Sequence, residues 1–368
     1  MKWIDQLLDF GYVIFQRRLS GSRYLMGLGI KLFTLTAIGS LAFQFSNGEY
    51  SFFIDTASDS TYEIATLVGV YVSIVMIVVG FFFEVYSMLF GESASKNRAK
   101  SIDLRSLDGA AAPTLCSSFS STIEPAGLHD DLFMWKSRKQ TLEDWLKESC
   151  AKLQKFYDES LQKLNGFEPN KPLALGAIAH VPHCFTLGYL VGNKRLVNYY
   201  CWNRDNKKQH KERWLDCRDA RSRGQKLECS EIMKKPEVLD SQVTTLGISI
   251  EVSFDNDLKT FFEDLELDRA IAYRVESRNV GNMFSDVEQS NFVASLRTEI
   301  NNTLLKKYPY VTEVHLTLMA QASLIMRIGA EFNQNHLSQQ INVHHFDGAG
   351  YPWSLQINKD QEISYLIK

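Results

Sequence analysis

The chain has 368 residues and a formal charge of −3, which excludes a single small domain and a polycation built to coat nucleic acid. Its six cysteines (116, 150, 184, 201, 217, 229) show no C-x-x-C spacing, so they read as free thiols of a reducing compartment rather than a disulfide framework. Cys201, His210 and Cys217 lack the tight paired spacing of a zinc site, and no metal site is expected.

Residues 1–23 form an N-terminal segment. Its first fifteen residues carry a loose apolar face that fits either a helix lying on a membrane surface or a plain leader. Residues 24–45 and 64–90 are apolar runs with one charge each, Lys31 and Glu84. At a rise of ~1.5 Å per residue both are long enough to cross a bilayer, and the sequence predicts two transmembrane helices. No A-x-A cleavage pattern follows the first run, which argues against a removed signal peptide. Arg17, Arg18 and Arg23 precede the hairpin, and Lys96, Arg98, Lys100 and Arg105 follow it. The loop 46–63 carries Glu49, Asp55 and Asp59 and no Lys or Arg. The positive-inside bias then puts both ends in the cytoplasm and the loop outside.

Lys31 and Glu84 both fall ~10 Å inside the cytoplasmic edge. Two readings fit: they pair within or between hairpins, or each snorkels separately to the headgroups. Ala65, Gly69 and Ser73 form a small-residue stripe that permits close helix approach, either against Gly27, Gly39 or Ala42 of the first span or between copies.

Residues 91–127, rich in Ser, Ala, Gly and charge, read as a linker. A helical period runs through 128–164. Strands and helices then alternate. Strands are predicted over 173–179, 196–203, 245–254, 270–276, 313–320, 340–346 and 352–357. Helices are predicted over 183–192, 256–265, 290–308 and 323–335. Uniformly apolar strands such as ALGAIA imply an α/β domain with largely parallel sheets.

That domain contains a repeat. KPLALGAIAHVPHCFTLGYL at 171–190 and VHLTLMAQASLIMRIG at 314–329 share one template at an offset of 141 residues, which sets Ala179 on Ala320 and Gly188 on Gly329. Aromatic strands follow, NYYCWN and NVHHFD, and then segments centred on Trp214 and Trp353. One supersecondary unit used twice predicts a pseudo-symmetric pair with a cleft between. Ligands of such sheets sit beyond the carboxyl ends of the strands, here 179–182 and 320–323. The following helix N-termini offer phosphate cradles, and Trp202 and Phe346 offer stacking faces; ordinary helix starts and core aromatics fit the same spacing. Residues 204–226 hold nine Lys and Arg against four Asp and Glu, a solvated loop that also fits an anion or anionic lipid. His344 and His345 alternate in facing and cannot share one metal. No G-x-x-x-x-G-K-[ST], G-x-S-x-G or H-E-x-x-H occurs, and no catalytic residue or cofactor is expected.

The pattern A-x-V-P-x-x-x-x-L-G at 179–188 followed by YYCWNR, and AQASLIMRIG followed by NVHHFD and YPW, resemble the SAVED domain over 128–368. SAVED domains are double CARF-like sensors of CBASS, the cyclic-oligonucleotide-based antiphage systems of bacteria. With the two spans ahead of it, the chain looks like a two-transmembrane SAVED effector. The resemblance implies two fused CARF-like Rossmann-type halves, about 128–240 and 241–368, behind an all-α transmembrane hairpin. It implies that a phage-activated cyclase makes a cyclic oligonucleotide, most directly a cyclic trinucleotide. The sensor binds it between its halves and self-associates head to tail, and the hairpins disrupt the inner membrane. No DNA or RNA polymer is an expected partner. The ligand-contact positions carried over are His180, Pro182, His183, Trp202, Arg204, Gln321, Ser323, Phe346 and Asp347. Gln-Ala-Ser at 321–323 departs from the Pro-containing loop of many SAVED sequences. A membrane-anchored ring nuclease and a passive anchor for a partner protein are the rival expectations.

Overall fold

The computed structural model describes residues 21–40, 45–47, 50–52, 60–90, 98–107, 112–126, 132–167, 169–193, 195–203, 213–222, 224–332, 339–358 and 360–368. The N-terminal segment up to residue 20, residues 48–49 and 53–59 of the loop 46–63, and Arg204 with the basic stretch to residue 212 lie outside the described residues. Internal contacts divide the chain into two units, Met1–Lys96 and Asn97–Lys368.

In the first unit the two apolar runs form helices α1 (Gly21–Ser40) and α2 (Ser60–Phe90), which pack together. Strands β1 (Phe45–Asn47) and β2 (Tyr50–Phe52) pair antiparallel, so α1 stops at Ser40 and Phe45 already belongs to a strand. Small residues set the helix approach. A Cβ on Gly29 would stand 2.9 Å from the Ser73 carbonyl oxygen and 2.8 Å from Ile77 Cγ1. Ser73 is fully buried there, whereas Gly27 has nothing within 4 Å. Gly69 is half-buried and Lys31 is exposed; the side chains of Ala65 and Glu84 are outside those described. Among the described residues no helix is long and apolar enough to cross a membrane. The outward face of α2 is apolar: Leu67, Tyr71, Val75, Phe82 and Phe83 are all exposed.

The second unit begins with β3 (Ala99–Arg105), α3 (Leu115–Ser118), β4 (Ile123–Pro125) and β5 (Leu132–Phe133). Helix α4 (Leu142–Lys155) passes through a π-helical stretch, Phe156–Leu161, into α5 (Gln162–Phe167). Then come β6 (Leu173–Ile178), α6 (Val181–Val191), β7 (Val197–Asn203) and β8 (Arg213–Asp216). Strands β9 (Leu227–Lys234) and β10 (Thr245–Glu251), helix α7 (Leu258–Asp264), β11 (Arg269–Val275) and α8 (Asp286–Asn302) follow. The chain closes with β12 (Glu313–Met319), α9 (Ala322–Glu331), β13 (Gln340–His345), β14 (Trp353–Ile357) and β15 (Ile363–Ile367).

These strands build two sheets. One has the order β4-β3-β6-β7-β8, with β5 also paired to β3; the other runs β15-β14-β13-β12-β10-β11-β9. Both are parallel at the centre and antiparallel at edges: β8 in the first, β9, β14 and β15 in the second. The first sheet is thus largely parallel, as expected, whereas the second is mixed, parallel only from β11 through β10 and β12 to β13. The repeat is visible as β6-α6-β7-β8 against β12-α9-β13-β14.

The expectation of a linker over 91–127 needs correction, because β3 lies inside the first sheet, between β4 and β6. Its polar composition is deceptive. Ile102 and Leu104 face one core cluster, while Asp103 and Arg105, two apart, share the other face. Both charges are buried and bidentately paired, Arg105 Nε and Nη2 donating to the Asp103 oxygens at 2.6 and 2.7 Å. Arg105 also donates to the Pro113 carbonyl, and Asp103 accepts the Leu115 N–H, so the pair fastens the segment 112–115 to the strand. The helix expected over 128–164 starts only at Leu142, capped by Thr141, which accepts from the Asp144 N–H at 3.1 Å.

Helices α6 and α9 lie against each other between the sheets, and each also packs on the sheet of the opposite half: α6 on β13 and β14, α9 on β6 and β7. Helix α6 is buried from Pro182 to Val191, as expected of a helix apolar all round. A Cβ on Gly188 would fall on the Met326 carbonyl oxygen, and a Cβ on Gly329 on the Phe185 carbonyl oxygen. The contact is reciprocal, since each glycine meets the residue three before the other. Any side chain there must push backbone against backbone. Gly188→Ala and Gly329→Ala are each expected to destabilise the protein by about 1–3 kcal/mol or more. The double variant should lose less than the sum, because the first methyl already spreads the helices. Thermal unfolding of the full chain in detergent checks both.

Candidate functional site

Strands β6 and β12 end at Ile178 and Met319, and each leads through two residues into a helix, α6 or α9. Pro182 sits in the first turn of α6, where its missing N–H costs no hydrogen bond. The two loops open on one cavity of about 440 Å³, within the ~300–1,000 Å³ typical of small-molecule sites. Ala179 and Val181 line it from the first half, and Ala320, Gln321 and Ala322 from the second. Trp202 and Asn203 at the end of β7 and Ser253 and Phe254 beyond β10 add to the wall, and Val280 and Phe284 beyond β11 complete it. Phe254 and Val280 are largely exposed and so stand at its rim. No described lining side chain is charged. The N-terminal turns of both helices reach the cavity through Val181 and Ala322, and Asn203, Ser253 and Gln321 are the residues of its described lining that carry an amide or a hydroxyl.

Of the positions expected to touch a ligand, Trp202 and Gln321 line this cavity. Trp202 rests edge-on against Trp214 at 5.4 Å. Gln321 holds both amide atoms buried and without a hydrogen-bond partner. Arg204 is outside the described residues, and the other described positions are not on the cavity wall. Ser323 is buried and accepts from Gln289 Nε2 at 2.9 Å. Pro182 is buried in the α6 turn. Phe346 packs on Tyr351, and Asp347 accepts the N–H groups of Ala349 and Gly350 in a turn.

His180 and His183 belong to an aromatic cluster on the other side of the α6 start. The Trp145 ring lies 5.2 Å from each, Trp353 lies 5.7 and 5.5 Å away, and His345 lies 5.0 Å from His180. The His180 N–H donates to Ser106 Oγ at 2.8 Å, and the same oxygen stands 2.8 Å from His180 Nδ1. Burial, with His345 beside it, pulls the His180 pKa down to about 4. Burial holds His183 well below its ordinary range and lowers His345 as well. His344 faces the opposite side of β13, as the alternation requires. It is buried and stacked on His315 at 5.2 Å with Nε2 2.9 Å from His315 Nδ1.

Phe254, Val280 and Phe284 carry no sequence motif and were not among the expected site residues. The rule that ligands sit beyond strand carboxyl ends would have reached Phe254 had it been applied to β10.

Residues 153–357 match the family model of SAVED, the SMODS-associated and fused to various effectors sensor domain. Residues 1–124 match the SAVED-fused 2TM effector domain. Similar solved structures include the Acinetobacter baumannii Cap4 SAVED/CARF-domain containing receptor with the cyclic trinucleotide 3'3'3'-cAAA, with 2'3'3'-cAAA, and without a named ligand. Each is 10% identical with a TM-score of 0.43; the first two alignments cover 79% of this chain and the third 81%. This chain spans only 60% of the Cap4 chains. Comparison with the curated proteins returns no match. The sensor match takes in more than half of the sequence, and the chain belongs to the SAVED family, with a SAVED-fused 2TM effector region ahead of the sensor.

The histidine cluster makes stability depend on pH. Buried His180, His183 and His345 stay neutral in the folded state at a pH where unfolded histidines are charged. The unfolded state then binds more protons, so stability is full above pH ~6.5 and falls as the pH drops towards ~4. Each such histidine contributes a slope of about 1 kcal/mol per pH unit in that window. His183→Phe should flatten the fall between pH 6.5 and 5, read by urea unfolding; an unchanged slope contradicts it.

Proposed function

We propose that this SAVED-family chain is a CBASS effector whose sensor domain takes a cyclic oligonucleotide, most directly a cyclic trinucleotide, into the cavity between its two halves. The observation that carries the reading is the shared cavity itself, with a strand end and a helix N-terminus from each half on its wall. A ligand there touches both halves at once, and its affinity can favour one arrangement of the pair over another.

The effector step follows from the first unit. Helices α1 and α2 act as a transmembrane hairpin with both ends of the chain in the cytoplasm and the connection between them outside. The match to a 2TM effector domain and the exposed apolar face of α2 support this. Ligand binding promotes head-to-tail self-association, which does not close on itself and gathers many hairpins. The clustered hairpins then disrupt the inner membrane. Lys31 and Glu84 place charge near the cytoplasmic edge, where crowding of hairpins is most costly. Gly69 and Ala65 extend the small-residue face beyond Ser73, which is already engaged with Gly29. Ligand shifts this equilibrium only by its difference in affinity for the assembled and free states.

Reconstitution into dye-loaded liposomes of bacterial lipid tests the reading. Dye is expected to escape when a cyclic trinucleotide is added and not before, with the nucleotide recovered intact. Leakage without nucleotide, or none with any cyclic trinucleotide, contradicts it. Recovery of linear product would instead identify a ring nuclease.

A further inference from the structure

The segment after β5 presents one large aromatic ring to solvent. Leu132 and Met134 are buried, whereas Trp135 is 51% exposed. The ring is held in place. Phe133 and Trp135, two apart on an extended stretch, share a face and stack at 5.0 Å and 18°. Phe133 lies in turn against the buried Arg105 guanidinium at 6.0 Å. Helix α4 pins the backbone from the other side. Trp145 Nε1 donates to the Met134 carbonyl at 2.7 Å, and Lys152 Nζ donates to the Phe133 carbonyl at 3.1 Å. The Ser137 N–H donates to Gln140 Oε1, and Gln140 Nε2 donates to Glu148.

Three cations follow the ring. Lys136, Arg138 and Lys139 are all exposed. Among the described residues none of the three side chains has an ion pair or a hydrogen bond. The acids of α4 that reach this turn are already engaged: Asp144 accepts from Thr141, and Glu148 pairs with Lys152 at 2.8 Å. A fixed indole beside unpaired cations fits a surface that is negative on top and apolar beneath. An anionic bilayer has that profile: indole rings settle at headgroup level, and Lys and Arg are drawn to the negative leaflet. One ring in a short turn supplies neither the groove nor the successive stacking faces of a nucleic-acid site. Each cation strengthens the attraction to such a leaflet by roughly fivefold. That is weak for a free protein but sufficient for a domain joined covalently to a membrane-inserted region.

We infer that Trp135–Lys139 is a lipid-docking surface of the sensor domain. The indole enters the headgroup layer of an anionic bilayer, and Lys136, Arg138 and Lys139 meet the lipid phosphates. None of these residues lines the cavity between the halves. The inference rests on the reading that the first unit inserts in the membrane.

The test uses the full chain in nanodiscs of phosphatidylcholine, with and without phosphatidylglycerol. Lysines are acetylated for short times and read by mass spectrometry. Lys136 and Lys139 are expected to react several-fold more slowly when phosphatidylglycerol is present. Lys259, exposed on α7, should react equally in both. Salt near 1 M should remove the difference, because it cuts the reach of these charges to ~3 Å. Trp135→Ser and Arg138→Glu should each reduce the protection and leave the melting temperature close to wild type. Equal reactivity in the two lipids overturns the inference. So does protection that needs no anionic lipid and grows with protein concentration or with added RNA, which marks a protein or nucleic-acid partner instead. Alkaline extraction from liposomes separates this inference from the reading beneath it. A chain that resists extraction while Lys136 and Lys139 stay reactive loses only the docking surface. A chain that is extracted loses the membrane-insertion reading, and the inference falls with it.

Discussion

Two glycines without side chains hold this structure in register. Gly188 and Gly329 let α6 and α9 approach until each helix backbone touches the other, carbonyl against the bare Cα. Because α6 leaves the first sheet and packs on the second, and α9 does the reverse, that contact is also the joint between the halves. The N-terminal ends of the same two helices open on the cavity. Joint and site are therefore two ends of one helix pair. A ligand that moves one helix start must move it against the other, and a tightly packed backbone contact transmits such movement instead of absorbing it.

The family match of the effector region extends into the second unit. The match to the 2TM effector domain runs to residue 124, past β3 and into β4, both of which belong to the first sheet. Ala99 opens β3 a few residues after Phe90 closes α2. Strand β3 is paired along β6, whose carboxyl end reaches the cavity wall, and its buried Asp103–Arg105 pair fastens it to the segment 112–115.

The repeat was legible because its signal is covalent and local. LALGAI is buried at every position, so nothing polar disguised β6, and the offset of 141 residues carried the same reading to β12. Strand β3 was not legible, because two of its seven residues are charges that satisfy each other in the interior, and composition cannot report pairing. Strands β8, β9 and β15 were missed for a related reason: they are antiparallel edges, only partly buried, β8 and β9 mix their apolar residues with charge, and the apolar residues of β15 are too few to mark a buried strand. At the site, Trp202 and Gln321 were found from strand ends and the repeat. His180 and His183 were expected in the cleft, but their rings turn to Trp145, a residue of a helix that no periodicity links to them. Contacts between distant segments decide which of two neighbouring loop residues faces a cavity, and a single sequence does not encode them locally.

The central claim is that one ligand engages both halves at once through the paired strand-to-helix loops. Hydrogen–deuterium exchange of the full chain with and without a cyclic trinucleotide addresses it most directly. Exchange is expected to slow together across residues 179–184 and 320–325, to a similar degree in both. Slowing confined to one of the two loops, with binding otherwise demonstrated, would contradict the account.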